Sequence, residues 1–239
     1  MQLAHLYTER LAQLPLTFQP NGRWRPLPAP LTRAAAGLPA EGAVLCAFNH
    51  TYKILPAAFD AWCAVLREVP GAVLWLKETN GQLHDHVRRE AAARGVAGGR
   101  IVFAKAVSYA EHFSRLALAD VFVDTWPYNA HTTAADALWA GVPVVTLYGN
   151  GFASRVAASV LNAAGIPELA VASVDEYVAT ILTLLREPAL LAGYREHLKS
   201  RRLELPLFDS ARYTREFEDL CARMWRRWVD GLAPEHLLA

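Results

Sequence analysis

The chain has 239 residues, 53 % apolar and 20 % charged, with a net charge of +1. That composition predicts a folded globular protein and leaves no basic footprint for nucleic acid. No apolar run approaches the ~18 residues that suggest a membrane span, and Glu9 and Arg10 interrupt the stretch where a signal peptide needs its apolar core, so a cytoplasmic protein is expected.

In chain order, residues 1–14 predict a short helix. Residues 14–31, LPLTFQPNGRWRPLPAPL, carry Pro15, Pro20, Pro26, Pro28 and Pro30. Proline fixes φ and removes a donor, so this stretch predicts an extended linker, with a boundary near residue 40. Short apolar runs follow at 43–48, 72–76, 100–104, 121–124, 142–147 and 168–172. They are β-branched or aromatic and lack a period of two, as strands covered on both faces should. Helical stretches separate them: 56–69 opening on Pro56, 83–94 before Gly95, a capping box at Ser108-Tyr109-Ala110-Glu111 leading to 119, 132–140 before Gly141, and 153–164 before Gly165. Strand alternating with helix means α/β architecture, a Rossmann-like parallel sheet with right-handed crossovers. Helices are expected at 175–185 and 188–203, then a long one capped by Asp209 or Ser210 and reaching about residue 229. It carries Tyr213, Phe217, Trp225 and Trp228, much apolar surface for a terminal helix. The three cysteines, Cys46, Cys63 and Cys221, form no C-x-x-C and read as reduced thiols with no zinc site. His5, His84, His86, His197 and His236 read as solvated.

In an open parallel sheet, ligands bind at the carboxyl ends of the strands, near a reversal of strand order. Four polar loops fall there: Asn49-His50-Thr51-Tyr52-Lys53, the Ser108 cap with His112 and Arg115 a turn apart, Asp124-Thr125 with 129–133, and Tyr148-Gly149-Asn150-Gly151. Thr132 and Thr133 open a helix directly after His131. Its free N–H groups and macrodipole make an anion site. Asp136 shares their face and is placed to accept from a ribose diol. Taken singly, the Thr-Thr start is a cap, Lys53 a surface lysine, Arg115 an ion-pair partner and Asp124 a loop organiser. Their convergence suits a nucleoside diphosphate. GxGxxG and GxxxxGK[ST] are both missing, which argues against a dehydrogenase or a P-loop ATPase.

The segments FNHTYKI, VLWLKE, RIVFAKAVSYAEHFSRLALADVFVDT, HTTAADALWAGVPVVTL, ASRVAAS, PLFDSARYTREFE and MWRRW resemble, in order over about residues 42–230, the O-linked N-acetylglucosamine transferase and SPINDLY family of protein glycosyltransferases. YTERLAQLPLTFQP resembles the end of that family's preceding lobe. The resemblance implies the second, donor-binding lobe of a GT-B enzyme, inverting and metal-independent, without a cofactor, moving sugar from a nucleotide donor to Ser or Thr of proteins. It implies three parts: a remnant of the preceding lobe and linker (1–40), the nucleotide-sugar lobe (41–205), and an aromatic helix (206–239) that packs on the N-terminal lobe. That lobe and the family's repeats, which take the protein acceptor, are not in this chain, so self-association through the bare helix is expected.

The resemblance gives roles to residues. Lys53 stabilises the leaving group. His131, Thr132 and Thr133 hold the diphosphate, and Asp136 takes the ribose. His112 and Arg115 lie beside the base, with the backbone near Val107 reading its edge. His50 stands where the family usually has glutamine, beside the diphosphate, and Tyr109 where it has lysine. UDP-N-acetylglucosamine or a related UDP-sugar is the expected donor, with a GDP-sugar the other option. Two further readings share the fold: a nucleotide-binding module without catalysis, and an epimerase-like enzyme of nucleotide-sugars.

Overall fold

Six short strands build one parallel sheet: β1 (Val44–Ala47), β2 (Val73–Lys77), β3 (Ile101–Ala104), β4 (Val121–Val123), β5 (Val144–Leu147) and β6 (Ala170–Val171), in the order β3-β2-β1-β4-β5-β6. The computed structural model describes residues 4–78 and 80–238. β1, β2 and β4 are almost wholly apolar and buried, because helices cover both faces. The register runs Val44 beside Val73 and Cys46 beside Phe122. The order reverses between β1 and β4, so the loops after these two strands leave the sheet side by side.

The helices are α1 (Pro56–Glu68), α2 (Gly81–Ala93), α3 (Tyr109–Leu116), α4 (Thr132–Trp139), α5 (Val156–Ala163), α6 (Val174–Arg186), α7 (Pro188–Ser200) and α8 (Ser210–Val229). α1 packs on α6 at one face, while α3, α4 and α5 lie side by side on the other, as right-handed crossovers on either side of a switch point require. Local chemistry sets the boundaries. Ser108 and Ser173 each close a capping box with a glutamate three residues on. Gly141, at φ 81°, ends α4 where a Cβ would strain the left-handed turn. Across the first face, Trp62 Nε1 donates to the Tyr177 hydroxyl (3.0 Å), which donates to the Asp124 carbonyl (2.9 Å). One buried hydroxyl thus ties α1 and α6 to the end of β4.

Two expectations fail at the N-terminus. Residues 4–14 are not a helix beyond one 3-10 turn at Ala4–Leu6. Their backbone instead bridges the C-terminal tail, with Leu237 N–H donating to Leu11 O (2.8 Å) and Gln13 N–H to Leu237 O (2.9 Å). The proline-rich stretch is extended, as its prolines require, but it is no free linker. It is a strap across the second face. Thr17 meets Ser159 of α5 (3.2 Å), Arg25 pairs with Asp136 of α4 (3.0 Å), Trp139 of α4 donates to Pro26 O (2.8 Å), and Ser114 of α3 accepts from Ala29 N–H (3.0 Å). Helix side chains satisfy backbone that a sheet would otherwise pair. His197 and His236 are likewise engaged, His197 with Ala164 O and His236 as acceptor for Leu11 N–H.

α8 is capped by Asp209, whose carboxylate accepts from Arg212 N–H (2.9 Å), and Leu220 is its one fully buried residue. Phe217, Trp225, Trp228 and Val229 remain exposed. Cys46, Cys63 and Cys221 are free thiols, and burial pushes the Cys63 thiol up to about 11. Among the described residues no helix is long and apolar enough to cross a membrane.

Removing the Tyr177 hydroxyl by Tyr177→Phe strands the Trp62 N–H and the Asp124 carbonyl in the core. A loss of about 2 kcal/mol is expected, read as a lower urea midpoint at unchanged m-value.

Candidate functional site

The switch point is organised by Asp124, the residue directly after β4, which is 0 % exposed. Its Oδ1 accepts from Asn49 Nδ2 (2.9 Å), Thr125 N–H (2.7 Å) and Ala130 N–H (2.7 Å), and its Oδ2 from the Thr146 hydroxyl (2.7 Å). One carboxylate therefore binds the β1 loop, the β4 loop and β5 into a single floor. Burial raises its pKa to about 6 against the pull of these four donors. Asn49, 2 % exposed, passes the fixation on. Its Nδ2 also donates to the Thr125 hydroxyl (2.8 Å), and its Oδ1 accepts from the Thr133 hydroxyl (2.8 Å).

Above this floor α4 begins without a side-chain cap. His131 occupies the cap position and makes no capping bond. Ala134 and Ala135 N–H already reach His131 O, which leaves the Thr132 and Thr133 amides with no acceptor inside the helix. Capping therefore does not explain the two threonines. They have separate tasks: the Thr133 hydroxyl spends its proton on Asn49, so its amide rather than its hydroxyl is available to an anion. Thr132 is exposed, and its Oγ1 accepts from Gln19 Nε2 at 3.4 Å, so its own O–H is free to donate.

Lys53 ends the 3-10 turn Thr51–Lys53 after β1 and points at the same place. Its Nζ donates to Asn129 O (3.1 Å) and lies 3.6 Å from the Tyr128 ring centroid. Burial lowers its pKa, and the Asp124 carboxylate partly restores it. The His131 ring sits between Phe18 (6.3 Å) and Tyr128 (5.4 Å), and its pKa is lowered by burial and then by Lys53. An uncapped helix start, a half-desolvated ammonium and a ring whose pKa is lowered converge on one spot. Such a combination can accept an anion.

A second cluster closes the β3 side. His112 Nδ1 accepts from Arg115 Nε (3.1 Å), so the ring carries its proton on Nε2. Burial, reinforced by Arg115 and Lys77, lowers the His112 pKa to about 4, leaving it neutral at pH 7. The Arg115 guanidinium lies 4.8 Å from the Phe48 ring centroid and donates to Lys105 O. Val107 is exposed nearby. His50 is exposed and stacks on Tyr52 (5.0 Å), which puts it at the rim rather than in the cradle.

Asp136 departs furthest from expectation. It lies one turn along α4 from the threonines, but it is buried and its Oδ1 is taken by Arg25 Nε (3.0 Å). Burial raises its pKa while Arg25 lowers it. The sequence reading placed Asn49 and Asn129 in the ligand-edge loops without giving either a role, and missed Arg25 altogether. Asn49 had a signal, a carboxamide closing a buried strand. Arg25 had none, because nothing local links it to a residue 111 positions away.

The chain matches the model of glycosyl transferase family 41 over residues 26–217. It is 39 % identical over 206 residues to the UDP-N-acetylglucosamine--peptide N-acetylglucosaminyltransferase of Caenorhabditis elegans, covering 86 % of this chain and 18 % of that protein. It is 30 % identical to the probable UDP-N-acetylglucosamine--peptide N-acetylglucosaminyltransferase SPINDLY of Solanum lycopersicum, over 95 % of this chain and 25 % of that one. A solved mutant of the Thermobaculum terrenum O-GlcNAc transferase superposes with a TM-score of 0.86 at 34 % identity, over 95 % of this chain and 43 % of that one. The chain thus spans a quarter or less of the length of these curated relatives.

Because the folded pKa of Asp124 lies above its ordinary value of 3.8, the folded state holds a proton that the unfolded state releases between about pH 4 and 6. This group therefore stabilises the fold at low pH and loses that contribution as pH rises. The advantage of wild type over Asp124→Asn should shrink by on the order of 3 kcal/mol from pH 4 to 7, measured by urea unfolding across pH; a pH-independent difference would contradict this.

Proposed function

The chain belongs to glycosyl transferase family 41, and we propose from that premise that it is the donor-binding lobe of an inverting, metal-independent protein O-glycosyltransferase using UDP-N-acetylglucosamine. The observation that carries this reading is the uncapped start of α4 at the switch point, with Lys53 Nζ beside it. In this reading the diphosphate lies on the Thr132 and Thr133 amides and the Thr132 hydroxyl. The base lies toward His112, Arg115 and Val107. A serine or threonine oxygen of the acceptor displaces the diphosphate at the anomeric carbon with inversion, its proton passes to water, and the C–O bond to the diphosphate breaks so that the diphosphate leaves as an anion. Lys53 stabilises the charge that develops there, as a fixed cation in a partly dry site does best. Neutral His112 offers a donor without adding charge.

The acceptor belongs, in this reading, to a lobe outside these 239 residues, since the matched part is 43 % of the solved relative. The bare face of α8, with Trp225 and Trp228 63 % and 70 % exposed, is where that lobe would pack. The free, buried Cys46 and Cys63 fit a reducing cytoplasm.

Titration calorimetry should give binding of UDP over GDP, weakened tenfold or more by Lys53→Ala, about 1.4 kcal/mol. Equal affinity in wild type and variant would remove Lys53 from the site. A concentration series in sedimentation should show the isolated chain self-associating, and Trp225→Glu combined with Trp228→Glu should return it to a monomer.

A further inference from the structure

The strap runs directly past the start of α4. Phe18 packs its ring 4.9 Å from Phe152 and edge-on to His131, and its carbonyl accepts from the Tyr213 hydroxyl of α8 (2.8 Å). Gln19, next along, leans on Thr132 through Nε2, while its Oε1 is buried and, among the described residues, without a partner. His131 Nε2 is orphaned in the same way. A buried acceptor left unpaired costs about 1–3 kcal/mol, which a hydroxyl from a ligand would recover. A phosphate oxygen would not, because it is itself an acceptor.

Arg25 is saturated. Nη1 donates to Gly22 O (3.1 Å), Nη2 to Asn21 Oδ1 (2.7 Å) and Nε to Asp136 Oδ1 (3.0 Å), with both partners of the ion pair under a tenth exposed. Asp136 stands one helical turn from the anion cradle. Bare, its carboxylate would repel a diphosphate there. Paired, it is neutralised, and its orientation is set by a guanidinium that Gly22 O and Asn21 Oδ1 hold at two further points.

We propose that the strap is a wall of the nucleotide site, with Gln19 contacting a ribose hydroxyl beside the diphosphate and Arg25 acting as a positioning residue through Asp136. This rests on the nucleotide-binding reading above and extends it to residues outside the sheet loops. Occlusion of the site by the strap is the competing outcome.

The test is calorimetric titration of the full 239-residue chain with UDP and with GDP, alongside thermal unfolding, for wild type, Gln19→Ala, Gln19→Glu, Arg25→Met and Arg25→Lys. Gln19→Glu should weaken UDP tenfold or more and Gln19→Ala about threefold, both at unchanged Tm, since Gln19 anchors no core. Arg25→Lys should recover much of the affinity that Arg25→Met loses, as a charge acting on Asp136 predicts. Gln19→Glu binding UDP within twofold of wild type, or Gln19→Ala binding it more tightly, overturns the proposal while leaving the nucleotide site standing. Wild type binding neither nucleotide overturns the site and the strap together.

Discussion

A single buried carboxylate sets the geometry of this molecule's ligand edge. Asp124 has no solvent, yet it accepts from the β1 loop, from two amides of its own loop and from β5. Burying a carboxylate is unfavourable unless its lone pairs are filled. Here the filling is what aligns three chain segments that leave the sheet separately. Asn49 carries that alignment to Thr133 and so to the start of α4. The cost of burying the charge shows in the raised pKa, and the result is a loop cluster with few ways to rearrange.

The electrostatics of the site follow from the same arrangement. Lys53 Nζ is held by Asn129 O and the Tyr128 ring, partly buried, and the field of Asp124 offsets part of what burial does to its pKa. His131 and His112 are both pushed toward neutrality by burial and by neighbouring cations. Positive potential therefore comes from Lys53 and the helix start, with no protonated ring added to it. A ligand anion is the group that would complete this balance. Arg25 pairs with Asp136 and so offsets a buried carboxylate one turn along from the start of α4.

Much of the fold was legible in the chain. Parallel strands covered on both faces must be apolar throughout, and the runs at 43–48, 72–76 and 121–124 match β1, β2 and β4 within a residue or two. Ser108 and Ser173 start α3 and α6 by local hydrogen bonds, so three-residue spacings announce them. The N-terminal forty residues were not legible. The helix expected at 1–14 gives way, among the described residues from Ala4 on, to a backbone bridge with residue 237, and prolines that forbid a sheet say nothing about docking on helices.

The sequence by itself determined the alternation of strand and helix, the polar loops at the strand ends, and Lys53, His131, Thr132 and Thr133 as a cluster, because burial patterns, caps and crossover handedness are local or topological constraints. Only the tertiary structure decided how those polar groups divide their hydrogen bonds. It gave the Thr133 proton to Asn49, left the Thr132 proton free, extended Asp124 from organiser of its own loop to anchor of three chain segments, and delivered Arg25 to Asp136. The physical reason is that a donor's assignment depends on which acceptor is closest in space, and here the partners lie 75 to 111 positions apart along the chain.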